Sequence, residues 1–278
     1  MITFVGFVIG IGWFLSYFYN DSQLLWIAVI FSTVMSVTSY WFSDKIALSM
    51  AGAKPVLHDE DPELYHIVEN LAITAGLPTP RIYITPESAP NAFATGRDPE
   101  HAVIAVTAGL RQKLDRTELE AVIAHELSHI GNRDMLLGTV AAVLVGFVSI
   151  VADMFFRSSL LGLGNDDDRK NNGLIAIIGI VFMVLAPIAA TLIQLAISRK
   201  REFLADASGA LLTRYPDGLI SALEKISADS TPLDHASNAT AHLWFESPFK
   251  DKKVALSNLF LTHPPVKARI AALRNMGM

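Results

Sequence analysis

The sequence predicts a protein that is mainly α with a small β-sheet, in which about four membrane-spanning helices carry one globular domain. Composition is the first observation behind this fold class. Hydrophobic residues make up 51% of the 278 residues and charged residues only 18%, whereas soluble domains carry about 25% charged residues. The second observation is that the apolar excess lies in four separate runs, and the third is that the remaining chain shows mostly helical patterns with two short strands. A wholly soluble protein is therefore disfavoured.

The four apolar runs cover residues 2–19, 24–42, 135–152 and 174–197. A helix needs about 20 residues to cross a hydrocarbon core of about 30 Å, so the runs have roughly the required length. Short polar segments join them in pairs, which predicts two hairpins. A cleaved signal peptide is disfavoured for the first run, because a basic start and a small-residue cleavage site are missing. Buried helices of a soluble core are disfavoured for the last two, because no polar stripe interrupts them.

Basic residues beside the runs predict the orientation in the membrane. Six of them lie on the side of both termini and of the large polar segments: Lys45, Lys54, Arg133, Arg199, Lys200 and Arg201. The opposite side has three, namely Arg157, Arg169 and Lys170. Because cytoplasmic loops carry an excess of Lys and Arg, we expect the termini and the polar segments in the cytoplasm. The net charge of −5 argues against a nucleic-acid partner, which requires a basic surface.

The runs divide the chain into four segments. Residues 1–42 form an N-terminal transmembrane hairpin, and residues 135–197 form a second one. Residues 43–134 and 198–278 are the two polar parts, and each is shorter than 100 residues. We expect the polar parts to fold together as one domain into which the second hairpin is inserted.

Helix signals outnumber strand signals in the polar parts. Asp61 followed by proline is typical of a helix start and Gly76 of a helix end, while Asp115 and Glu118 have the spacing of a capping box. The predicted elements are helices over residues 61–76 and 115–131, strands over 81–85 and 102–107, and helices over 201–213, 216–226 and 264–275.

Two histidines and a glutamate in the helix over 115–131 indicate metal chemistry. His125, Glu126 and His129 form the pattern H-E-x-x-H. Residues four apart share a helix face, so both imidazoles can bind one ion, and neutral imidazole is a good Zn²⁺ ligand. Glu126 lies beside them and can take a proton from a metal-bound water. The alternative, two solvated surface histidines, is weakened by the apolar neighbours in this helix.

Glu202 is the predicted third ligand. A catalytic zinc site has three protein ligands and one open position, and the absence of cysteine restricts the ligands to His, Asp or Glu. Asp206 lies one turn further on the same helix face and can accept a hydrogen bond from a ligating histidine. The alternative is an ordinary charged helix, in which the three preceding basic residues pair with both carboxylates. The second hairpin favours the ligand, because it returns the chain to the membrane surface near His129.

This combination resembles the HtpX-type membrane zinc metalloproteases, relatives of the Ste24 prenyl-protein endopeptidases among the gluzincins. The resemblance rests on both hairpins, on H-E-L-S-H at 125–129, on S-R-K-R-E-F-L-A-D at 198–206, on N-A-F-A-T-G at 91–96 and on T-H-P-P at 262–265. It implies a zincin-like cytoplasmic protease domain with one Zn²⁺ per chain, bound by His125, His129 and Glu202.

The resemblance also implies roles for further residues. Glu126 would be the general base and then the acid that protonates the leaving amine, and Asp206 would support a ligand. His263 and Arg269 would flank the site and stabilise the tetrahedral oxyanion; alternatively, T-H-P-P only starts a helix and Arg269 is a surface charge. An edge strand that pairs with the substrate backbone would contain Asn91, Ala92, Phe93 and Ala94. Without the resemblance, this last segment is an ordinary strand or loop.

The sequence therefore predicts a zinc metalloendopeptidase, multi-pass in a bacterial cytoplasmic (inner) membrane, with its active site in the cytoplasm. By resemblance, its substrates are polypeptides, in particular damaged or misfolded membrane proteins, which implies quality control under stress. An intramembrane protease is disfavoured by the charges at 111–116 and 131–134, which hydrocarbon would not tolerate. A processing enzyme for one lipidated partner is disfavoured because four helices are too few for the chamber of Ste24. A non-catalytic zinc scaffold would need four ligands, and the sequence offers three.

Overall fold

A computed structural model of the protein describes residues 2–135, 199–233, 243–246 and 264–276. Its helices are α1 (Ile2–Tyr19), α2 (Gln23–Met50), α3 (Pro62–Ala75), α4 (Ala108–Lys113), α5 (Arg116–Gly131), α6 (Arg199–Thr213), α7 (Pro216–Ala228) and α8 (Val266–Arg274). Its strands are β1 (Lys54–Pro55), β2 (Arg81–Thr85), β3 (Ala92–Thr95) and β4 (Val103–Thr107). The described part of the chain is thus mainly helical with one small sheet, as predicted.

The two N-terminal helices pack against each other as a hairpin. Within α2, the window Leu25–Phe42 has 18 residues with a mean hydropathy of 1.5, which is long and apolar enough to cross a membrane. Only 18% of this window is buried, unlike the core helix of a soluble protein. It is the one such segment in the described ranges. The second predicted hairpin, apart from its first residue, lies outside them, so the number of about four spanning helices stays a prediction.

The candidate membrane segment continues without interruption into the globular domain. The last turns of α2 bring Leu48 against Phe93 and Trp244, which form a small apolar cluster behind the sheet. Asp44 on the same helix pairs with Arg81 at the start of β2, at 2.7 Å. One helix therefore joins the apolar segment directly to the sheet.

The four strands form a mixed sheet in the order β1-β2-β4-β3. β2 and β4 are parallel, and β3 runs antiparallel to β4 with Phe93 opposite Ala105. The two predicted strands are confirmed, since β2 spans Arg81–Thr85 and β4 spans Val103–Thr107, one residue shorter than predicted. β3 lies at one edge of the sheet, where one side of its backbone faces away from β4.

α5 is the central helix of the domain and contacts α3, α6, α7 and β3. Its predicted capping box is confirmed: the Asp115 side chain accepts from the Glu118 N–H at 3.0 Å, and the Glu118 carboxylate accepts from the Asp115 N–H at 2.9 Å. The buried Glu118 also accepts from Ser221 and Lys225 of α7, at 2.6 and 2.7 Å. Glu118, which caps the first turn of α5, therefore also ties this helix to the second polar part of the chain.

The other predicted helices are confirmed, with ends shifted by one or two residues. α3 starts at the Asp61 cap, whose side chain accepts from the Leu64 N–H at 3.1 Å, and it ends at Gly76 with a left-handed φ of 68°. α6 begins two residues before the predicted boundary, and α7 ends two residues after it. α8 is shorter than predicted, because its first turn starts only after Pro264 and Pro265.

Candidate metal centre

His125, His129 and Glu202 come together where α6 packs against α5. One possible ligand atom of each lies within 4.8 Å of the others, and no other group of this kind occurs among the described residues. The Nε2 atoms of the two histidines are 3.1 Å apart. The Glu202 carboxylate oxygens lie 3.9 Å from Nε2 of His125 and 3.5 Å from Nε2 of His129. The predicted ligand residues therefore share one small site.

The donor set fits a zinc ion. Tetrahedral Zn²⁺ with Zn–N bonds of about 2.0–2.1 Å holds two nitrogens about 3.3 Å apart, and the observed 3.1 Å is close to this separation. Two imidazoles and one carboxylate are the ligands of a catalytic zinc site, and three ligands leave one coordination position open. The site is also largely withdrawn from water, since His125 is 1% and Glu202 2% exposed.

Gly209 allows α6 to approach α5 at this point. A Cβ atom at position 209 would lie 2.9 Å from N and 3.1 Å from Cα of His125, which is too close for packed atoms. Glu202, Asp206 and Gly209 are spaced by four and three residues, so they lie on one helix face. The contact that brings the helices together is therefore on the same face as the predicted ligand.

We expect Gly209→Val to weaken zinc binding and to lower the melting temperature, because the added side chain displaces the backbone of His125. Overpacking of this kind costs about 1–3 kcal/mol. Zinc content and thermal unfolding of the purified protein measure the effect. Leu204→Val introduces the same branched residue at an exposed position of α6 and controls for helix propensity. Wild-type zinc content and melting in Gly209→Val would show that this contact does not limit the site.

Asp206 lies between His125 and Arg269, with all three side chains buried. Its Oδ1 is 2.9 Å from Nδ1 of His125, although the N–H bond is not aligned with that oxygen. Arg269 donates to both carboxylate oxygens, at 2.8 and 2.7 Å. Burial raises the pKa of Asp206, but the charge and hydrogen bonds of Arg269 outweigh it and lower this pKa to about 2. Burial also lowers the pKa of His125 to about 4, so the imidazole is neutral, as a metal ligand must be.

Asp134 holds the other histidine in a corresponding way. Its Oδ2 lies 3.2 Å from Nδ1 of His129, and its Oδ1 accepts from Arg201 at 2.8 Å. Burial lowers the pKa of His129, but the hydrogen bond to Asp134 and the nearby carboxylates raise it to about 9. A metal cation that binds Nε2 of His129 would displace the proton from that nitrogen. In the sequence, Asp134 is recognisable only as a charge near the membrane, and its position shortly after the end of α5 is the one signal of a role at the site.

Glu126 projects from α5 next to the ligands and is 3% exposed. Its negative charge is one of the influences that raise the pKa of His129. The predicted base is therefore buried and close in space to the candidate metal site.

Arg269 is fully buried, so the alternative in which it is a surface charge is wrong. Besides Asp206, its guanidinium donates to the carbonyl oxygen of Phe245 at 3.3 Å and lies 4.7 Å from the centre of that ring. The Phe245 ring in turn meets the His125 ring edge-to-face at 4.9 Å. Contact of Arg269 with an oxyanion stays a prediction, and His263 lies outside the described residues.

The predicted substrate strand lies at the sheet edge, and part of it already has partners. The Asn91 side chain accepts from the N–H of Glu246 at 3.1 Å and donates to its carbonyl oxygen at 2.8 Å. The carbonyl oxygen of Ala92 accepts from Phe245 N–H at 2.8 Å, while Phe93 packs its ring on Trp244. By strand alternation, Ala94 also directs its backbone away from β4. Judged by the contacts among the described residues, Ala94 is thus the position of this strand best placed to pair with another chain.

The chain is similar to known proteases over most of its length. The chain matches Peptidase family M48 over residues 58–277. It is 49% identical over 261 residues to a Protease HtpX homolog of Syntrophobacter fumaroxidans, covering 92% of this chain and 91% of the relative. It is 48% identical over 280 residues to a Protease HtpX homolog of Pyrococcus furiosus, covering 100% and 94%.

Among solved structures, the chain is similar to the crystal structure of S. mikatae Ste24p, with a TM-score of 0.55 and 19% identity. The match covers 96% of this chain and 62% of that one. At this identity the similarity concerns the fold, and this chain spans less than two thirds of the length of Ste24p.

Proposed function

This chain belongs to Peptidase family M48 and is a metalloprotease, and from this premise we propose that it cuts polypeptides internally with one Zn²⁺ held by His125, His129 and Glu202. The observation that carries the proposal is the buried set of two imidazoles and one carboxylate at the crossing of α5 and α6. The zinc ion, when bound, would supply a Lewis acid that lowers the pKa of a coordinated water toward about 7.

The residues around the ligands have separate tasks in this proposal. Glu126 takes a proton from the attacking water and delivers it to the nitrogen of the leaving peptide. Asp206 holds His125 with Nε2 directed at the site, and the 2.9 Å contact with Nδ1 supports this role. The backbone of Ala94 is available to pair with the substrate as an added strand.

We place the domain on the cytoplasmic face of the cytoplasmic membrane, with substrates that are damaged or misfolded membrane proteins. The direct continuation of the apolar window of α2 into the domain supports a site close to the bilayer. The excess of basic residues on the side of the polar segments supports the orientation. Proteolysis of a heat-damaged membrane protein, reconstituted with the enzyme in vesicles, should exceed that of its native form; equal rates would contradict this substrate class.

Zinc content and proteolysis in detergent test the metal site directly. Wild type should hold one zinc per chain and cleave an unfolded protein. Glu202→Gln should lose stoichiometric zinc and cleavage, because the amide keeps the size of the side chain but removes the anionic ligand. Glu224→Gln, an exposed position on α7, is the matched control. Stoichiometric zinc in Glu202→Gln would remove Glu202 from the ligand set, and a zinc-loaded wild type without cleavage would overturn the endopeptidase proposal.

A further inference from the structure

We propose that Asp134 and Arg201 together orient the ring of the ligand His129. This support links the orientation of that ring to the two chain segments on either side of residues 136–198. This inference rests on the proposed function, because it assigns positioning residues to the same metal site. Neither residue touches the ion or the substrate in this proposal; both act through the imidazole of His129.

The geometry is a chain of three side chains. One oxygen of the Asp134 carboxylate faces Nδ1 of His129 at 3.2 Å, and the other accepts from Nη1 of Arg201 at 2.8 Å. The side chain of Asp134 is 14% exposed and that of Arg201 is 41% exposed. A carboxylate on Nδ1 keeps the proton on that nitrogen and leaves the lone pair of Nε2 for a metal.

The same chain of imidazole, carboxylate and guanidinium occurs on the other histidine. Asp206 faces Nδ1 of His125, and Arg269 donates to both of its oxygens. The arrangement thus occurs twice, each time at Nδ1 of a proposed ligand histidine. This repetition indicates that the ion pair of Asp134 and Arg201 has a role at the site and is not accidental. The copies differ in solvent access, since Arg269 is 0% exposed.

The positions of Asp134 and Arg201 in the chain add a connection that the pair of Asp206 and Arg269 lacks. Asp134 follows the end of α5 after Arg133, whose left-handed φ of 58° redirects the backbone. Arg201 lies in the first turn of α6, directly before the ligand Glu202. The ion pair therefore joins two points of the described chain, one just before residues 136–198 and one just after them. A shift between these two points would alter the support of His129 and the position of Glu202 together.

The expected effect lies in metal binding rather than in folding. A partly exposed ion pair contributes little to stability, typically 0–1 kcal/mol. Loss of a group that orients a ligand histidine lowers metal affinity by about 10–100-fold. These two outcomes separate a positioning role from a merely structural one.

The test uses the full-length protein in detergent, with zinc affinity from chelator competition and the visible spectrum of the Co²⁺-substituted protein. Asp134→Ala should bind zinc about 10–100-fold more weakly and shift the Co²⁺ bands. Asp134→Asn, which keeps an acceptor for Nδ1, should recover part of the affinity. Arg201→Gln should weaken binding less than Asp134→Ala. Arg274→Gln, which breaks the exposed pair with Glu224, should match wild type.

Two results would overturn the inference. One is an Asp134→Ala protein that has wild-type Co²⁺ bands and a zinc affinity within about threefold of wild type. Such a change is smaller than the loss of affinity expected when an orienting group is removed. The other is a lower melting temperature of the metal-free Asp134→Ala protein with the Co²⁺ bands unchanged, which would make the pair structural only. Both leave the proposed function intact, because that function fails if wild type itself does not bind zinc or does not cleave.

Discussion

Glu126→Gln is expected to lower the rate of peptide cleavage by two to four orders of magnitude while the protein keeps its zinc. The amide has the size of the carboxylate but cannot accept the proton of the attacking water, and a positioned general base contributes about 10²–10⁴-fold. The spacing of Glu126 does not make it a ligand, so the proposed ligands His125, His129 and Glu202 should still bind the ion. Steady-state cleavage of an unfolded protein, together with zinc analysis of the same sample, measures both quantities.

Glu120→Gln is the matched control for this variant. Glu120 lies on the same helix and pairs with Arg116 at 2.9 Å on the outer surface, so its amide should leave cleavage and zinc content unchanged. Cleavage by Glu126→Gln at the wild-type rate would show that another group takes the proton. Loss of zinc in this variant would instead show that Glu126 supports the ligands and would leave its role as a base unsupported.

Arg269→Leu is expected to produce the largest loss of stability, about 3–5 kcal/mol. The substitution leaves Asp206 as a buried carboxylate without its bidentate partner, and it also removes the donor to the Phe245 carbonyl. Burial of an unpaired charge is among the most destabilising changes in a protein interior. Denaturant unfolding of the metal-free protein, followed by tryptophan fluorescence, gives the free energy of unfolding. Arg274→Leu removes an exposed arginine of the same helix and should cost far less.

A second substitution separates charge from packing. If the loss comes from the unpaired carboxylate, the double variant Arg269→Leu with Asp206→Leu should be more stable than Arg269→Leu alone, because both buried charges are gone. A double variant that is less stable than the single one would assign the loss to the packing of the guanidinium on Phe245. The double variant should also bind zinc more weakly, since His125 has then lost its carboxylate partner.

Much of the local structure was predictable because it depends on neighbours within a few residues. The capping box of Asp115 and Glu118 marks the start of α5, and Asp61 and Gly76 mark the ends of α3. The alternating strand at Arg81–Thr85 follows from the same short-range logic. Helical spacing alone also places His125 and His129 on one face, so half of the candidate site could be read without a fold.

The edge strand β3 was predictable only by resemblance. Its four residues are all buried and show no alternation, and their pairing with β4 depends on residues about ten positions further along the chain. The partners of Asn91 were not predictable at all, because Glu246 lies 155 residues away in sequence. The stretch of backbone that could pair with a substrate is consequently shorter than the four residues that the resemblance implied.

The sequence by itself determined the chemistry: a chain with apolar runs, two histidines and a glutamate at helical spacing, and a second helix with two carboxylates. Only the tertiary structure decided how these parts support one another. Arg269 is a buried partner of Asp206 rather than a surface charge, Asp134 reaches His129 together with Arg201, and Gly209 sets the distance between α5 and α6. The physical reason is that Arg269 lies 63 positions from Asp206, and Arg201 lies 67 from Asp134. The proximity of such residues depends on helix packing, and packing leaves no periodic signal in either segment alone.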